Sequence, residues 1–352
     1  MQHTSRGFDI YTSLLLMASL RTCNTSCLVN NGSSNETEAV DEATFLPSPL
    51  IALLSLMCLL IVTVNGLVIF LVHKKKSLRT IANMFLASLA ISDLLSAMLG
   101  IPLLVICLVR DDIKVCVASS IIIRFTAISS VCHVLLVACD RYIFIVHSIN
   151  YRFLVTRRRA MVAIMVNWLL AFLASVIQLS WQNLQVEALT EFDETVEEID
   201  IKYNLVCIAL FFAFPLLLMC YLYGHISYIS FKRNKRDRQL NKNLQQANRS
   251  VLLEWRGRSV LLITLVIFAG CWLPFFLMVL DAHMESSPFS PVPVFLQRLL
   301  IFVGFIPQLL NPVLSTVANK DFRHALKEVF LLRQAPLSRR KLSVRFHVTS
   351  NR

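Results

Sequence analysis

Residues 116–142 have the sequence CVASSIIIRFTAISSVCHVLLVACDRY, an almost wholly apolar run that ends on the charged triplet Asp140-Arg141-Tyr142. As an α-helix, the 25 steps from Cys116 to Arg141 rise about 37 Å, which exceeds the roughly 30 Å hydrocarbon core of a bilayer. One end of this segment can therefore lie at each membrane face.

The composition of the whole chain indicates an integral membrane protein. Of its 352 residues, 56% are hydrophobic and 16% charged, and the mean hydropathy is +0.64, which is too apolar for an ordinary soluble domain. Lipid cannot satisfy backbone polar groups, so apolar runs of this length must be helices, and alternating strands of a barrel are absent from the sequence. We predict an all-α fold, a seven-transmembrane helix bundle, with spans near residues 50–73, 81–106, 117–139, 160–181, 203–231, 258–280 and 292–317.

The distribution of charge predicts the orientation. The net charge is +12, but lysine and arginine cluster in alternate loops, at residues 74–79, 157–159 and 232–258, and in the tail after residue 320. Basic loops favour the cytoplasmic side, whereas residues 187–200 are acidic. This pattern argues against a nucleic-acid partner and predicts a multi-pass plasma-membrane protein with an extracellular amino terminus.

The first 47 residues are polar and contain three tripeptides of the N-glycosylation type, at Asn24, Asn31 and Asn35. Three such tripeptides within twelve residues agree with an exposed extracellular tail. We therefore expect residues 1–47 to form a glycosylated amino-terminal tail.

The polar and proline residues of the spans resemble those of rhodopsin-like (class A) G-protein-coupled receptors. The resemblance covers about residues 50–332 and rests on a cysteine and Asp-Arg-Tyr at the two ends of span three and on seven markers in the right order: Asn65, Asp93, Arg141, Trp168, Pro215, Pro274 and Pro312. It implies a receptor domain over residues 48–318, a short amphipathic cytoplasmic helix after span seven over residues 319–332, and a basic cytoplasmic tail over residues 333–352.

The resemblance implies an activation switch in which span six swings outward about Pro274 and the Arg141–Glu254 pair acts as an inactive-side latch. The alternative is that Glu254 is a solvated acid in the first turn of span six. The implied switch residues are Asp140, Arg141, Tyr142, Glu254, Tyr223, Trp272, Pro274, Phe268, Pro215, Val131, Asn311 and Pro312.

Asp93 lies near mid-membrane, where an ionised carboxylate costs about 2.5–3.5 kcal/mol on insertion scales. The resemblance implies a sodium ion held by Asp93, Ser130 and Asn311, although Pro307 departs from the family pattern nearby. The alternative is a neutral carboxyl that is hydrogen-bonded across helices. No other cofactor and no metal cluster are expected.

The sequence gives little information about the chemical identity of the ligand. Ile123 stands where amine receptors carry an aspartate, and Phe305 stands where opsins carry the retinal lysine, so a monoamine receptor and a photoreceptor are both disfavoured. Arg124 favours an acidic or polar group on the ligand, or else forms a salt bridge to the acidic outer loop. The implied pocket residues are Ile123, Arg124, Ala127, Phe275, Phe276 and Phe305.

The cysteines depart from the family pattern. Because no cysteine occurs between Cys139 and Cys207, the usual bridge from Cys116 to the second outer loop is not expected. Cys116 could instead pair with Cys107, Cys23 or Cys27, or stay free, and the sequence does not choose among them.

The expected function is that of an orphan-like receptor, not an enzyme, that senses an unknown extracellular ligand and activates heterotrimeric G proteins through Arg141 and Ile149. High basal activity and arrestin binding to the tail are further expectations, and membrane lipids would contact the basic loops. Ser315 replaces a tyrosine that the family uses in activation. That loss favours the alternative of a non-signalling seven-helix decoy, scavenger or partner subunit.

Overall fold

The computed structural model describes residues 47–110, 112–181, 194–240, 262–274, 277, 294–318 and 320–334. Within these ranges the chain is almost entirely helical and contains no strand. Among the described residues, five helices are long and apolar enough to cross a membrane, and two shorter apolar helices, Leu262–Pro274 and Leu299–Leu314, lie in the predicted spans six and seven. The predicted all-α seven-helix bundle is confirmed.

The first four spans are built as follows. Span one is Pro47–Lys74; span two is Ile81–Leu95 continued by Ser96–Gly100 and Ile101–Arg110; span three is Ile113–Val146; span four is Arg157–Val176 with a final tight turn, Ile177–Ser180. Three of their amino termini are capped by side chains that accept a backbone N–H hydrogen bond: Thr80 from Asn83, Asp112 from Lys114, and Thr156 from Arg159.

Span five is Glu194–Ile208 continued by Ala209–Ala213 and Phe214–Leu240, span six is described over Leu262–Pro274, and span seven is Val294–Ala318. Spans two and five each contain one wide π-helical segment, Ser96–Gly100 and Ala209–Ala213, directly before Pro102 and Pro215. A proline has no N–H to donate to the carbonyl four residues earlier, and a wide turn absorbs the lost bond.

Apolar and polar side chains are distributed as in a membrane protein. Span four exposes Met165, Leu169 and Phe172 by more than half of their surface, whereas the interior of the bundle holds polar side chains such as Asn65 and His133. This reversal of the soluble pattern is expected where lipid surrounds the protein.

Three apolar clusters run from the outer to the inner end of the bundle, where outer and inner mean the ends that the charge pattern predicts to be extracellular and cytoplasmic. An outer cluster, defined by Leu54, Ile101, Cys107, Cys116 and Phe305, joins spans one, two, three and seven. A central cluster joins spans two, three, five and six and is described with the site below.

The inner cluster includes Leu71, Leu78 and Phe322 and joins span one, the first inner loop and the helix Lys320–Gln334. This last helix buries Phe322 and Ala325 and exposes Asp321, so it is amphipathic. Lys75 and Glu328 form an ion pair that fastens the same helix to the first inner loop, and the hydrogen bond and charge of Lys75 lower the pKa of Glu328.

Cys116 is bonded to Cys107, with 5.0 Å between their Cα atoms. Of the partners that the sequence left open, the structure selects the near one, because the outer ends of spans two and three lie side by side. The bridge closes a short loop between these spans and does not tie the second outer loop to span three. Cys23 and Cys27 lie outside the described residues.

Candidate functional site

The central cluster brings together five of the predicted switch residues on spans three, five and six: Val131, Tyr142, Tyr223, Phe268 and Trp272. Val131, Phe212 and Phe268 are buried together, and the rings of Phe212 and Phe268 lie 5.6 Å apart. Trp272, one turn above Phe268 on span six, packs against the same cluster. Pro215 is buried on span five next to the wide turn that precedes it.

A small cavity lies beneath Trp272 between spans three, six and seven, with room for about one water molecule. Its walls are mostly apolar, but three polar residues line it, Ser130, Thr264 and Asn311. The remaining lining residues are Val134, Ile267, Phe268, Trp272, Pro307 and Leu314.

Asp93 is fully buried, and the Asn311 amide lies 3.4 Å from its Oδ2. Ser130 is a second hydrogen-bond neighbour of this carboxyl group. Oδ1 of Asp93 has no hydrogen-bond partner in the described part of the chain. A buried oxygen of this kind costs about 1–3 kcal/mol unless water or a cation satisfies it, so the three residues predicted for sodium offer an oxygen-rich site that suits a small cation.

A second polar contact lies one helical turn further out. Gln308 donates from Nε2 to Ser96 Oγ over 3.0 Å, which joins span seven to span two just above the Asp93–Asn311 pair. The backbone carbonyl of Gln308 accepts from Asn65 Nδ2 at 3.1 Å. Pro312 lacks the N–H that would have bonded this carbonyl, so Asn65 supplies the donor that the proline removes.

At the end of span three that the charge pattern predicts to be cytoplasmic, Arg141 lies close enough to Asp140 and Tyr223 to act on both electrostatically. Tyr142 OH lies 3.0 Å from His225 Nδ1 and so links span three to span five. Glu254, the predicted partner of Arg141, lies outside the described residues.

The second inner loop is anchored by a contact that the sequence did not predict. Tyr151, in the short helix Tyr151–Leu154, donates to Asp140 over 2.8 Å. Burial and the Asp140 carboxylate raise the pKa of Tyr151, so its hydroxyl remains a proton donor at neutral pH. Ile149, two residues earlier in this loop, is 91% exposed.

The outer half of span three carries three of the predicted ligand residues, Ile123, Arg124 and Ala127. Ile123 packs towards Gly100 of span two, and Arg124 lies over the Tyr203 ring of span five, with 5.0 Å between its Cζ and the ring centre. Ala127 is half-buried. Phe305 is buried in the outer cluster, where it packs with spans one to three. Phe275, Phe276 and the glycosylation positions Asn24, Asn31 and Asn35 lie outside the described residues.

A buried polar cluster between spans two, three and four was missed by sequence reasoning. His133 lies 2.7 Å from Ser88 Oγ through Nε2 and 2.7 Å from Asn167 Nδ2 through Nδ1, and the Trp168 indole donates to Ser88 over 3.0 Å. Polar residues inside apolar spans were the available signal. Only the packing of three helices shows that they meet.

A model of the family described as "7 transmembrane receptor (rhodopsin family)" matches residues 64–314. Among curated proteins, the chain is 26% identical over 292 residues to the melatonin receptor type 1C of Gallus gallus, covering 80% of this chain and 83% of the relative. It is 24% identical over 300 residues to the histamine H2 receptor of Homo sapiens, covering 83% and 82%. These relatives are receptors rather than enzymes, and the chain belongs to the rhodopsin family of seven-transmembrane receptors.

Proposed function

We propose that this receptor senses an extracellular ligand and activates heterotrimeric G proteins by outward movement of the inner end of span six. The observation that carries the proposal is the central cluster. Val131 and Phe268 pack together directly below Trp272, at the junction of spans three, five and six. A ligand that moves Trp272 must disturb this packing. A receptor switch requires two discrete arrangements of packed side chains, and this cluster can supply them.

The proline of span six supports the direction of movement. Pro274 lies two residues beyond Trp272, and a proline inside a helix removes one backbone hydrogen bond and permits a bend at that turn. If Trp272 keeps the outer part of span six in place, a bend at this turn displaces the cytoplasmic end of the span. This displacement of the inner end of span six would uncover Arg141, and the implied ion pair between Arg141 and Glu254 would oppose it.

The cytoplasmic surface fits a protein transducer. Ile149 presents an exposed apolar side chain on a loop that Tyr151 ties to Asp140, the residue before Arg141. Burying an isoleucine side chain that is otherwise exposed to water contributes about 1.5–3 kcal/mol to an interface. We assign Ile149 and Arg141 to the G-protein contact.

We further propose that Asp93, Ser130 and Asn311 hold a sodium ion. Its support is the buried Asp93 oxygen without a hydrogen-bond partner among the described residues, together with the two neutral oxygen-bearing side chains beside it. A bound cation would offset the buried charge of Asp93. Because the site adjoins the cavity beneath Trp272, occupancy would favour one packing of span six.

The comparisons do not select the ligand, because relatives named for melatonin and for histamine match at similar identity. The extracellular glycosylated tail, arrestin binding to the basic tail and lipid contacts of the basic loops are part of the proposal. Their support is the alternation of basic and acidic loops along the chain.

Nucleotide exchange on purified heterotrimers tests the function. Receptor in lipid discs should accelerate exchange for at least one G-protein class, and Glu254→Ala should raise this activity without ligand at equal receptor concentration. Because Ser315 replaces the family tyrosine, a non-signalling decoy receptor is the competing function. No exchange from either form, with correct folding verified, would favour the decoy.

A further inference from the structure

We propose that the inner surface of this receptor holds a binding site for a membrane lipid whose headgroup carries several phosphate groups, built on Arg79 and Arg157. Arg79 closes the short turn Lys76–Leu78 of the first inner loop, and Arg157 begins span four. Such a site makes the proposed lipid contact of the basic loops specific. It depends on the predicted orientation of the bundle but on no step of G-protein activation.

The two arginines belong to different loops, and backbone contacts hold them together. The guanidinium group of Arg157 donates to the Arg79 carbonyl over 3.0 Å. The guanidinium group of Arg79 reaches back to span one and donates to the His73 carbonyl over 2.6 Å. Leu78, fully buried in the inner cluster, fixes the turn before Arg79. A guanidinium group carries five N–H donors, and each of these two spends one on a carbonyl in the described part of the chain.

No carboxylate in these two loops offsets their positive charge. Residues 74–80 and 147–160 contain eight lysine and arginine residues and neither aspartate nor glutamate. Among the described residues, neither Arg79 nor Arg157 takes part in an ion pair. Like charges at close range repel, and an anion that binds between them offsets the repulsion. The preference of basic residues for the cytoplasmic side accounts for their number here, but it requires no contact between two loops.

Two more basic side chains extend the site. The N–H of Arg79 donates to the Lys76 carbonyl over 3.2 Å and closes a 3₁₀-helical turn. Side chains three residues apart in such a turn eclipse, so Lys76 and Arg79 extend to the same side. Arg158 follows Arg157 in the first turn of span four, and all four side chains are exposed. Four exposed cations around one contact exceed what a singly charged headgroup neutralises, so the matching headgroup carries several phosphate groups.

An exposed ring close to the arginines favours a lipid over a soluble phosphate. Phe153 is 80% exposed and lies four residues before Arg157. Arg159 donates to the Phe153 and Leu154 carbonyls, at 3.0 Å each, and so fastens the backbone of this ring to the start of span four. Aromatic rings beside basic residues are typical of the interface between headgroups and acyl chains. A ligand with acyl chains can cover the ring, whereas a free phosphate leaves it in water.

The test measures lipid binding without any G protein, on purified receptor in micelles of an uncharged detergent. A fluorescent phosphatidylinositol bisphosphate reports binding through its anisotropy. The unlabelled competitors are phosphatidylinositol bisphosphate, phosphatidylserine and soluble inositol trisphosphate. Phosphatidylserine has acyl chains without clustered phosphates, and inositol trisphosphate has the phosphates without acyl chains. We expect the bisphosphate lipid to compete at least roughly tenfold better than either of the other two.

Variants assign the binding to the two arginines. Arg157→Gln and Arg79→Gln should each weaken binding of the bisphosphate lipid roughly fivefold, which corresponds to about 1 kcal/mol for one basic residue at an anionic surface. Arg157→Lys keeps the charge but loses the planar pair of donors, and should retain part of the affinity. Lys327→Gln is the matched control, because Lys327 is an exposed cation at the same end of the bundle, on the helix Lys320–Gln334. This control should bind the lipid as wild type does.

Four results would overturn this assignment. The first is an absence of saturable binding of the bisphosphate lipid. Equal competition by phosphatidylserine would show that charge alone attracts the lipid, and equal competition by inositol trisphosphate would show a site for a soluble phosphate. Equal losses in Lys327→Gln and Arg157→Gln would show that the binding belongs to no particular pair of side chains.

The competition experiment uses wild type alone, so it tests the site even where a variant fails to fold. Lipid binding by a receptor that causes no nucleotide exchange would contradict only the proposed activation of G proteins. Nucleotide exchange by a receptor that does not bind the bisphosphate lipid would contradict only this site.

Discussion

Replacing Asn65 by alanine should lower the thermal stability of the bundle. Asn65 is almost fully buried in span one and donates from Nδ2 to the Gln308 carbonyl at 3.1 Å and to the Ile61 carbonyl at 3.0 Å. The Ile61 carbonyl lies within a regular helix, whereas Pro312 has removed the backbone donor for Gln308. The substitution therefore leaves one buried carbonyl without its donor.

The magnitude follows from that single orphaned group. A buried unsatisfied carbonyl costs about 1–3 kcal/mol in soluble proteins, and side-chain hydrogen bonds between membrane helices average about 0.6 with a maximum near 1.7 kcal/mol. We expect a loss of about 1–2 kcal/mol. For a bundle of this size that corresponds to a drop of roughly 2–6 °C in melting temperature.

Thermal unfolding of purified receptor in detergent measures this drop. Thr63→Val is the matched control, because Thr63 lies in the same helix and its hydroxyl donates within that helix, to the Leu59 carbonyl at 2.7 Å on an exposed face. The control should melt within about 1 °C of wild type. If Asn65→Ala melts with the control, the Gln308 carbonyl has found another donor and the reasoning is wrong.

Three further predictions concern the polar contacts. His133→Ala should destabilise the receptor by about 1–3 kcal/mol, because Ser88 and Asn167 lose their shared partner; an unchanged melting temperature would contradict this role. Tyr151→Phe and Ile149→Ala should each slow G-protein nucleotide exchange, and their combined loss should be smaller than the sum, because Tyr151 acts by positioning Ile149; strictly additive losses would refute that coupling. Asp93→Asn should abolish the difference in melting temperature between equal concentrations of sodium and potassium chloride, and a persistent difference would place the sodium effect elsewhere.

Much of the architecture could be predicted from the sequence, because each prediction used local information. The length of an apolar run determines whether a helix can span, and prolines act on the carbonyl four residues earlier. For these reasons the seven helices and the amphipathic helix after span seven were readable. The wide turn before Pro215 has the same local cause, although the sequence alone did not reveal it.

The contacts between spans could not be predicted in the same way. Chemistry alone makes Cys107, Cys23 and Cys27 equal partners for Cys116, and only the distance between the ends of spans two and three distinguishes them. His133 is one polar residue in an apolar run until Ser88 and Asn167 are brought to it from two other helices. Both cases depend on how the helices are rotated about their axes.

The outer site shows the same division. The sequence places Arg124 one third of the way down span three and leaves open an acidic loop partner or a ligand. The structure adds the contact between Arg124 and the Tyr203 ring, which the residue spacing does not reveal because the two residues lie on separate helices. The predictions for Glu254, Phe275 and Phe276 concern residues outside the described part of the chain and stay predictions.

The most direct test of the receptor mechanism is the rate of guanine-nucleotide exchange on each class of purified heterotrimer, with the receptor in lipid discs. The account predicts that wild type or Glu254→Ala accelerates exchange above empty discs for at least one class, and that Arg141→Ala in the same background removes the acceleration. An exchange rate equal to that of empty discs for every class, from receptor whose folding is verified by its melting transition, would contradict it.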